Sequence, residues 1–150
     1  ASATGAPEKR TIYEIATYDL SDVHQSLDQV RSIDFLRRRW RTEITKEEKG
    51  SYYEETRVHR VKHEVVKVVF DKVFAEGIVR TEYYLTDETT FYIKQHTGLI
   101  RNGQNDSSGC ELFIESDGKI IRHNLSEPGK WVDCDSYHEC LKRLEKILDE

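Results

Sequence analysis

The sequence of 150 residues lacks methionine, contains only three cysteines and has no long apolar run. A helix that spans a membrane needs about 20 consecutive apolar residues, so we expect no transmembrane segment. Because methionine is absent even at position 1, we expect that the chain has been trimmed. Residues 1–7 are small and polar, which is typical both of a segment behind a removed signal peptide and of a tail left by cloning. We expect residues 1–10 to be disordered.

Several chemical motifs are also absent. There is no CxxC pair for zinc, no GxSxG nucleophile elbow and no glycine spacing typical of a phosphate-binding loop. His59 and His63 have a zinc-ligand spacing only on a helix, whereas we assign them to a strand, where four residues span about 13 Å. We therefore expect no metal and no cofactor, and we favour a role without catalysis.

The charge balance narrows the choice of partner. Charged residues make up 34% of the chain and hydrophobic residues 37%, and the net charge is -5. Proteins that bind nucleic acid usually present a strongly basic face. We therefore expect a globular protein that binds no nucleic acid.

The three cysteines are Cys110, Cys134 and Cys140, and an odd number cannot pair completely within one chain. Cys134 and Cys140 enclose a short loop that a disulfide could close. Cys110 lies on the apolar side of a predicted strand, and we expect it to be a buried thiol. Exported proteins keep disulfides and cytosolic proteins rarely do. We expect a periplasmic or secreted protein, with a cytoplasmic protein as the alternative.

The clearest pattern is a series of short strands between residues 52 and 124. Apolar side chains alternate with polar ones there, as they do on half-buried strands. The predicted strands are 52–63, 65–74, 78–86, 91–96, 110–116 and 119–124. The first of these is rich in charge, so we place it at the edge of the sheet. Segment 45–51 is predicted to be a linker, and 97–109 the longest loop.

The last two strands flank Asp117 and Gly118, a pair that predicts a two-residue hairpin turn of type I′. A turn of that length fixes which residues face each other across the two strands. It would place Phe113 opposite Arg122, on the same face of the sheet.

One predicted helix precedes the strands in the sequence, and another follows them. Apolar residues at helical spacing predict one helix from about residue 19 to Arg41, either continuous or bent or broken near Ser32, where the spacing slips by one residue. Its apolar stripe is Leu20, Val23, Leu27, Val30, Ile33, Leu36 and Trp40. Ser136 and Glu139 form a capping box that predicts the start of a final helix. Segment 11–17 is predicted to be a short strand or an extended entry.

These elements predict one α+β domain over residues 11–150. A curved antiparallel sheet of five or six strands would carry the N-terminal and C-terminal helices packed on one face. Sheets of this class commonly bury one face and leave the other in water.

Segments 80–87 (RTEYYLTD) and 113–122 (FIESDGKIIR) resemble a diffuse group of small exported bacterial proteins. Many of these are predicted lipoproteins without an assigned function. They share an amphipathic N-terminal helix, a strand with an aromatic pair and a later hairpin with an Asp-Gly turn. This chain departs from them at Ala1, where a mature lipoprotein would have a lipid-bearing cysteine. The resemblance implies a periplasmic or secreted location and transfers no catalytic residues.

The sheet face without helices would carry Tyr84, Tyr92, Phe113 and Arg122. Aromatic residues and arginine are enriched in protein-binding hot spots. We therefore predict a non-enzymatic module that binds another protein outside the cytosol, such as an inhibitor, an immunity protein or an envelope component.

Two alternatives concern other residues. Trp40 lies among four arginines, including Arg38 and Arg39, which is typical either of a site for an anion or acidic partner or of a solvated helix C-terminus. A pocket between helix and sheet, lined by Tyr83, Tyr92 and nearby histidines, would instead suit a small-molecule binder or an enzyme.

Overall fold

The computed structural model describes residues 12–15, 20–101, 103–125 and 134–149. Eight strands and two helices follow one another in these residues. They are β1 (Ile12–Ile15), α1 (Leu20–Phe35), a single 3₁₀ turn (Arg37–Arg39), β2 (Arg41–Glu48), β3 (Tyr53–Val61), β4 (Glu64–Phe74), β5 (Gly77–Thr86), β6 (Thr89–Arg101), β7 (Gln104–Ile114), β8 (Ile120–Asn124) and α2 (Tyr137–Leu148). The predicted tail at 1–10 lies outside the described residues.

All eight strands form one sheet in the order β1-β8-β7-β6-β5-β4-β3-β2. Strands β2 to β8 are antiparallel to their neighbours, and β1 is added at one edge, parallel to β8. The α+β class with an antiparallel sheet is therefore confirmed, but the expected number of five or six strands is too small.

The additional strand β2 occupies residues that the sequence pattern assigned to a helix end and a linker. All eight of its residues are exposed, so no buried apolar alternation identifies it. It pairs along its whole length with β3. The predicted edge position of segment 52–63 is therefore wrong, because β2 is the edge strand. The many charges of β2 suit that position, since they discourage pairing with another chain.

The two helices pack on opposite faces of the sheet, which corrects the prediction that both lie on one face. Tyr83 is buried in a cluster with Tyr137, Cys140 and Leu144 of α2. The next residue, Tyr84, is buried in a separate cluster with Val23 of α1. Successive side chains of a strand point to opposite faces, so each face of the central strands is apolar and needs its own helix.

The last hairpin has a three-residue loop instead of the predicted two-residue turn. The Gly118 amide donates to the Glu115 carbonyl at 3.0 Å, and the Glu115 amide donates to the Lys119 carbonyl at 2.8 Å. Gly118 has φ +92°, which glycine adopts without strain at the end of such loops. The register therefore shifts by one residue and Phe113 faces Ile121. Arg122 consequently lies on the opposite face from Phe113.

Segment 97–109, which was predicted to be a long loop, instead forms parts of two paired strands. Strands β6 and β7 continue through it as a ladder, with Gly98 paired to Ser107 and Arg101 to Gln104. Small polar residues give this segment no hydrophobic alternation. The backbone ladder needs none, because its hydrogen bonds join main-chain groups.

Helix α1 ends at Phe35, before the predicted end near Arg41, and the 3₁₀ turn follows it. The start of α2 is as predicted: the Ser136 hydroxyl accepts from the Glu139 amide at 3.1 Å, and the Glu139 carboxylate accepts from the Ser136 amide at 3.1 Å. This reciprocal capping box is confirmed.

The disulfide joins Cys110 of β7 to Cys134, with their Cα atoms 6.5 Å apart, and Cys140 is free. The predicted Cys134–Cys140 pair is therefore wrong. Cys110 lies on the face that α2 covers, and Cys134 comes shortly before that helix, so the bond fastens the helix approach to the sheet. Cys140 points from α2 into the core. Burial raises the pKa of its thiol to about 12, so it stays protonated.

We expect the double substitution Cys110→Ala and Cys134→Ala to lower the free energy of unfolding by about 3 kcal/mol. The bond closes a 24-residue separation, and opening it returns loop entropy to the unfolded chain. Chemical denaturation measures the loss. Cys140→Ala is the control, and it should keep the oxidised pair in peptide mapping without reduction. A peptide linking positions 134 and 140 would contradict this pairing.

Candidate functional site

A row of side chains crosses the sheet beneath α1. Direct pairing from strand to strand places its members on one face. The row consists of Thr42, His59, Lys67, Tyr84, Tyr92, Phe113 and Ile121. Its four members from Tyr84 onwards pack around Val23 of α1. The row therefore changes along its length, from an apolar end beneath the helix to a polar end at β2.

The predicted aromatic binding face is this covered row. Tyr84, Tyr92 and Phe113 are 4%, 3% and 0% exposed, and Arg122 is on the other face, with a guanidinium nitrogen 3.6 Å from Cys110 Sγ. The expected exposure of these aromatic residues is therefore wrong. They are core residues. The alternation of side chains along a strand looks the same in the sequence whether that face is covered by water or by a helix.

The two buried tyrosine hydroxyls in the row donate to carboxylates. Tyr84 Oη lies 3.0 Å from both carboxylate oxygens of Asp34, and Tyr92 Oη donates to Glu111. Burial, together with the neighbouring carboxylates, raises the pKa of both phenols. Both therefore remain protonated and serve as fixed hydrogen-bond donors rather than as bases or nucleophiles.

Lys67 holds the C-terminal end of α1 against the sheet. Its ammonium lies 3.1 Å from Asp34 and 3.2 Å from Glu82, and 4.5 Å from the centre of the Tyr84 ring. A buried ammonium is costly unless it is paired and hydrogen-bonded. These contacts satisfy it, so Lys67 is a structural clamp with its charge already balanced.

His59 and Trp40 form the outer end of the row. Their ring centroids are 4.4 Å apart, and His59 Nδ1 lies 2.7 Å from Thr42 Oγ1. Burial lowers the pKa of His59, with a further contribution from nearby Lys67. Trp40 is thus half-buried against the sheet, and its role is to anchor the chain between α1 and β2.

The residues just before Trp40 project into solvent. We call residues 35–39 the basic knuckle. Phe35 is 85% exposed and Leu36 is 38% exposed, which corrects the placement of Leu36 in the buried stripe. Arg38, Arg39 and the arginine before them are exposed as well. None of the three forms an ion pair within the described part of the chain.

A depression of about 460 Å³ borders the knuckle and is lined by Arg31, Ser32, Phe35 and Leu36. Phe35 was missed as a candidate because it follows directly on the helical stripe. The sequence does contain a sign that Phe35 is exposed. Phe35 and Leu36 are adjacent, and two adjacent residues of a helix cannot both lie at the centre of one narrow buried stripe.

The predicted pocket lined by Tyr83 and Tyr92 does not form. The two rings lie on opposite faces of the sheet, and both are buried. Tyr83 Oη donates to the Cys140 carbonyl at 2.9 Å, so it bonds to α2. Within the described ranges, no group of three or more histidine, cysteine or acidic side chains is arranged to hold a metal ion.

No family model, curated protein or solved structure matches this chain. Of the two helices described, neither is long and apolar enough to cross a membrane.

Stability should depend on pH through His59. Its folded pKa is below the ordinary value of 6.5, so the unfolded chain takes up the proton first as the pH falls. The contribution of neutral His59 is complete above pH 6.5 and is lost progressively below it. We expect the stability difference between the wild type and His59→Gln to shrink from pH 7.5 to pH 5, measured by urea denaturation. A constant difference would contradict a buried neutral imidazole.

Proposed function

We propose that this protein is a non-enzymatic, extracytoplasmic module that binds an acidic surface of another protein through the basic knuckle. The observation that carries the proposal is Phe35, which is 85% exposed next to three exposed arginines that lack an ion pair in the described structure. Aromatic side chains and arginine are the residues most enriched in binding hot spots.

The composition of the knuckle fits a hot spot with charged surroundings. Burying a phenylalanine side chain contributes about 1.5–3 kcal/mol. Arginine guanidinium groups pair with carboxylates in a bidentate geometry, which adds direction to the attraction. An acidic partner with an apolar pocket would satisfy both requirements.

The knuckle is held rigidly at both ends. Asp34, immediately before Phe35, accepts from Tyr84 and pairs with Lys67. Trp40, immediately after the arginines, packs against the His59 ring. A segment fixed in this way loses little conformational entropy when a partner docks. The buried polar row therefore supports the proposal indirectly, by presenting the knuckle in one conformation.

The Cys110–Cys134 bond supports the extracytoplasmic part of the proposal. Disulfides persist in the periplasm and outside the cell, whereas the cytosol keeps most thiols reduced. The predicted periplasmic or secreted location therefore stays in the proposal, with a different cysteine pair as its support.

The first test is a photo-crosslinking amino acid at position 35, with position 100 as the matched control. Ile100 is also an apolar residue with an exposed side chain, at 59% exposure. It lies near the C-terminal end of β6. We expect a discrete adduct with an acidic protein from position 35 only, identified by mass spectrometry in the native host. Equal adducts from both positions, or none from position 35, would contradict the proposal.

The second test uses the partner so identified. Arg38→Glu combined with Arg39→Glu should weaken its binding at least about 30-fold, since hot-spot losses exceed about 2 kcal/mol. Lys49→Glu combined with Lys119→Glu makes the same change in net charge at the other end of β2 and in the β7–β8 loop, and it should preserve affinity. Isothermal titration measures both variants. Similar losses in the two would show that only net charge matters.

A further inference from the structure

A second surface is left open on the face that α2 covers. Eight strands spaced about 4.8 Å apart make a sheet about 34 Å wide, whereas a helix with its side chains is about 10 Å across. Helix α2 packs with residues of β4 to β8. A groove of about 930 Å³ remains between the C-terminal half of α2 and strands β2 to β4.

The groove has an apolar floor. Val58 and Phe70 line it from the sheet, and Ile147 and Leu148 line it from the helix. Val58, Ile147 and Leu148 are half-buried at the margin of the core cluster. An apolar ligand group seated here would continue the hydrophobic core outward and remove the remaining exposure of these side chains from water.

The walls of the groove are basic, although the chain as a whole has a net charge of -5. Seven basic side chains line it and only three acidic ones. The basic residues are Lys46, Lys49, Arg60, Lys72, Lys142, Arg143 and Lys146; the acidic ones are Glu43, Glu47 and Glu54.

The three carboxylates are already neutralised on the strand side. Glu43 pairs with Arg60. Lys49 lies 3.1 Å from Glu47 and 4.0 Å from Glu54. These pairs account for every acidic group in the groove, so the positive excess is concentrated elsewhere along its walls.

Most of the excess lies on α2 and on strand β4. Arg143 is paired with Asp135, but Lys72, Lys142 and Lys146 form no ion pair within the residues that the structure describes. Three ammonium groups without an ion pair in the described structure therefore line a groove with an apolar floor. An anion bound in the groove would be attracted by these positive charges.

We propose that this groove binds an amphipathic organic anion. The apolar body lies on Val58, Ile147 and Leu148. The anionic head, a carboxylate or a phosphate, lies among Lys72, Lys142 and Lys146. A small inorganic anion would leave the floor unused. A nucleic-acid strand would need exposed rings for base stacking. Among the described residues that line the groove, Phe70 is the only aromatic one, and it is 7% exposed.

Ligands that share one apolar chain and differ in the head group test this proposal. The probes are dodecanoate and dodecyl phosphate as anions, dodecyl maltoside as the neutral control and dodecyltrimethylammonium as the cation. Isothermal titration is run below the concentration at which each forms micelles. We expect saturable binding of one equivalent for the anions only, weakening as salt screens the charges. Equal binding of the neutral probe would overturn the proposal.

Variants of the full chain locate the site. Lys142→Gln with Lys146→Gln should weaken anion binding about tenfold, on the basis of modest contributions from exposed pairs. Thr56→Trp adds bulk from the sheet side of the groove without changing charge, and it should abolish binding while circular dichroism stays native. The matched control is Lys62→Gln with Lys119→Gln. Binding unchanged in both groove variants would place the ligand elsewhere and overturn the proposal.

Discussion

The central strands of this sheet are apolar on both faces, and the rest of the architecture depends on that constraint. Consecutive residues such as Tyr83 and Tyr84, or Tyr92 and Ile93, are all buried and point to opposite sides. Neither face can be left in water, so each takes one helix. Two helices cannot cover eight strands completely. The uncovered part lies toward β2, and both surfaces that we assign to binding, the basic knuckle and the groove, border that strand.

The polar row beneath α1 has the composition of an active site, but its contacts are structural. A lysine, two tyrosines, a histidine and three carboxylates lie close together there. Each tyrosine hydroxyl already donates to a carboxylate, and Lys67 already has two acidic partners. These contacts fix where the helix sits on the sheet and how the knuckle after it is presented.

Sequence periodicity predicted the class of fold, the central strands and the capping box, because each depends on local patterns of apolar residues or on one turn of helix. It failed for features that depend on how distant parts of the chain pack together. Alternation on β5 identifies a strand, but it cannot say whether Tyr84 faces water or a helix. The Asp117-Gly118 pair fits hairpin loops of two or three residues, and the one-residue difference moved Arg122 to the other face. Strand β2 is defined only by its partner, and the pairing of Cys110 depends on where α2 returns to the sheet.

The parallel strand β1 has a consequence for how the chain folds. Ile12 pairs with Ile120, so the first strand must meet the last one, while the antiparallel strands between them each pair with a neighbour in sequence. Contacts between distant parts of a chain cost the most loop entropy and slow folding. The meander from β2 to β8 can assemble progressively, because each of its strands pairs with its neighbour in sequence. The β1 edge can be completed only after β8 is in place.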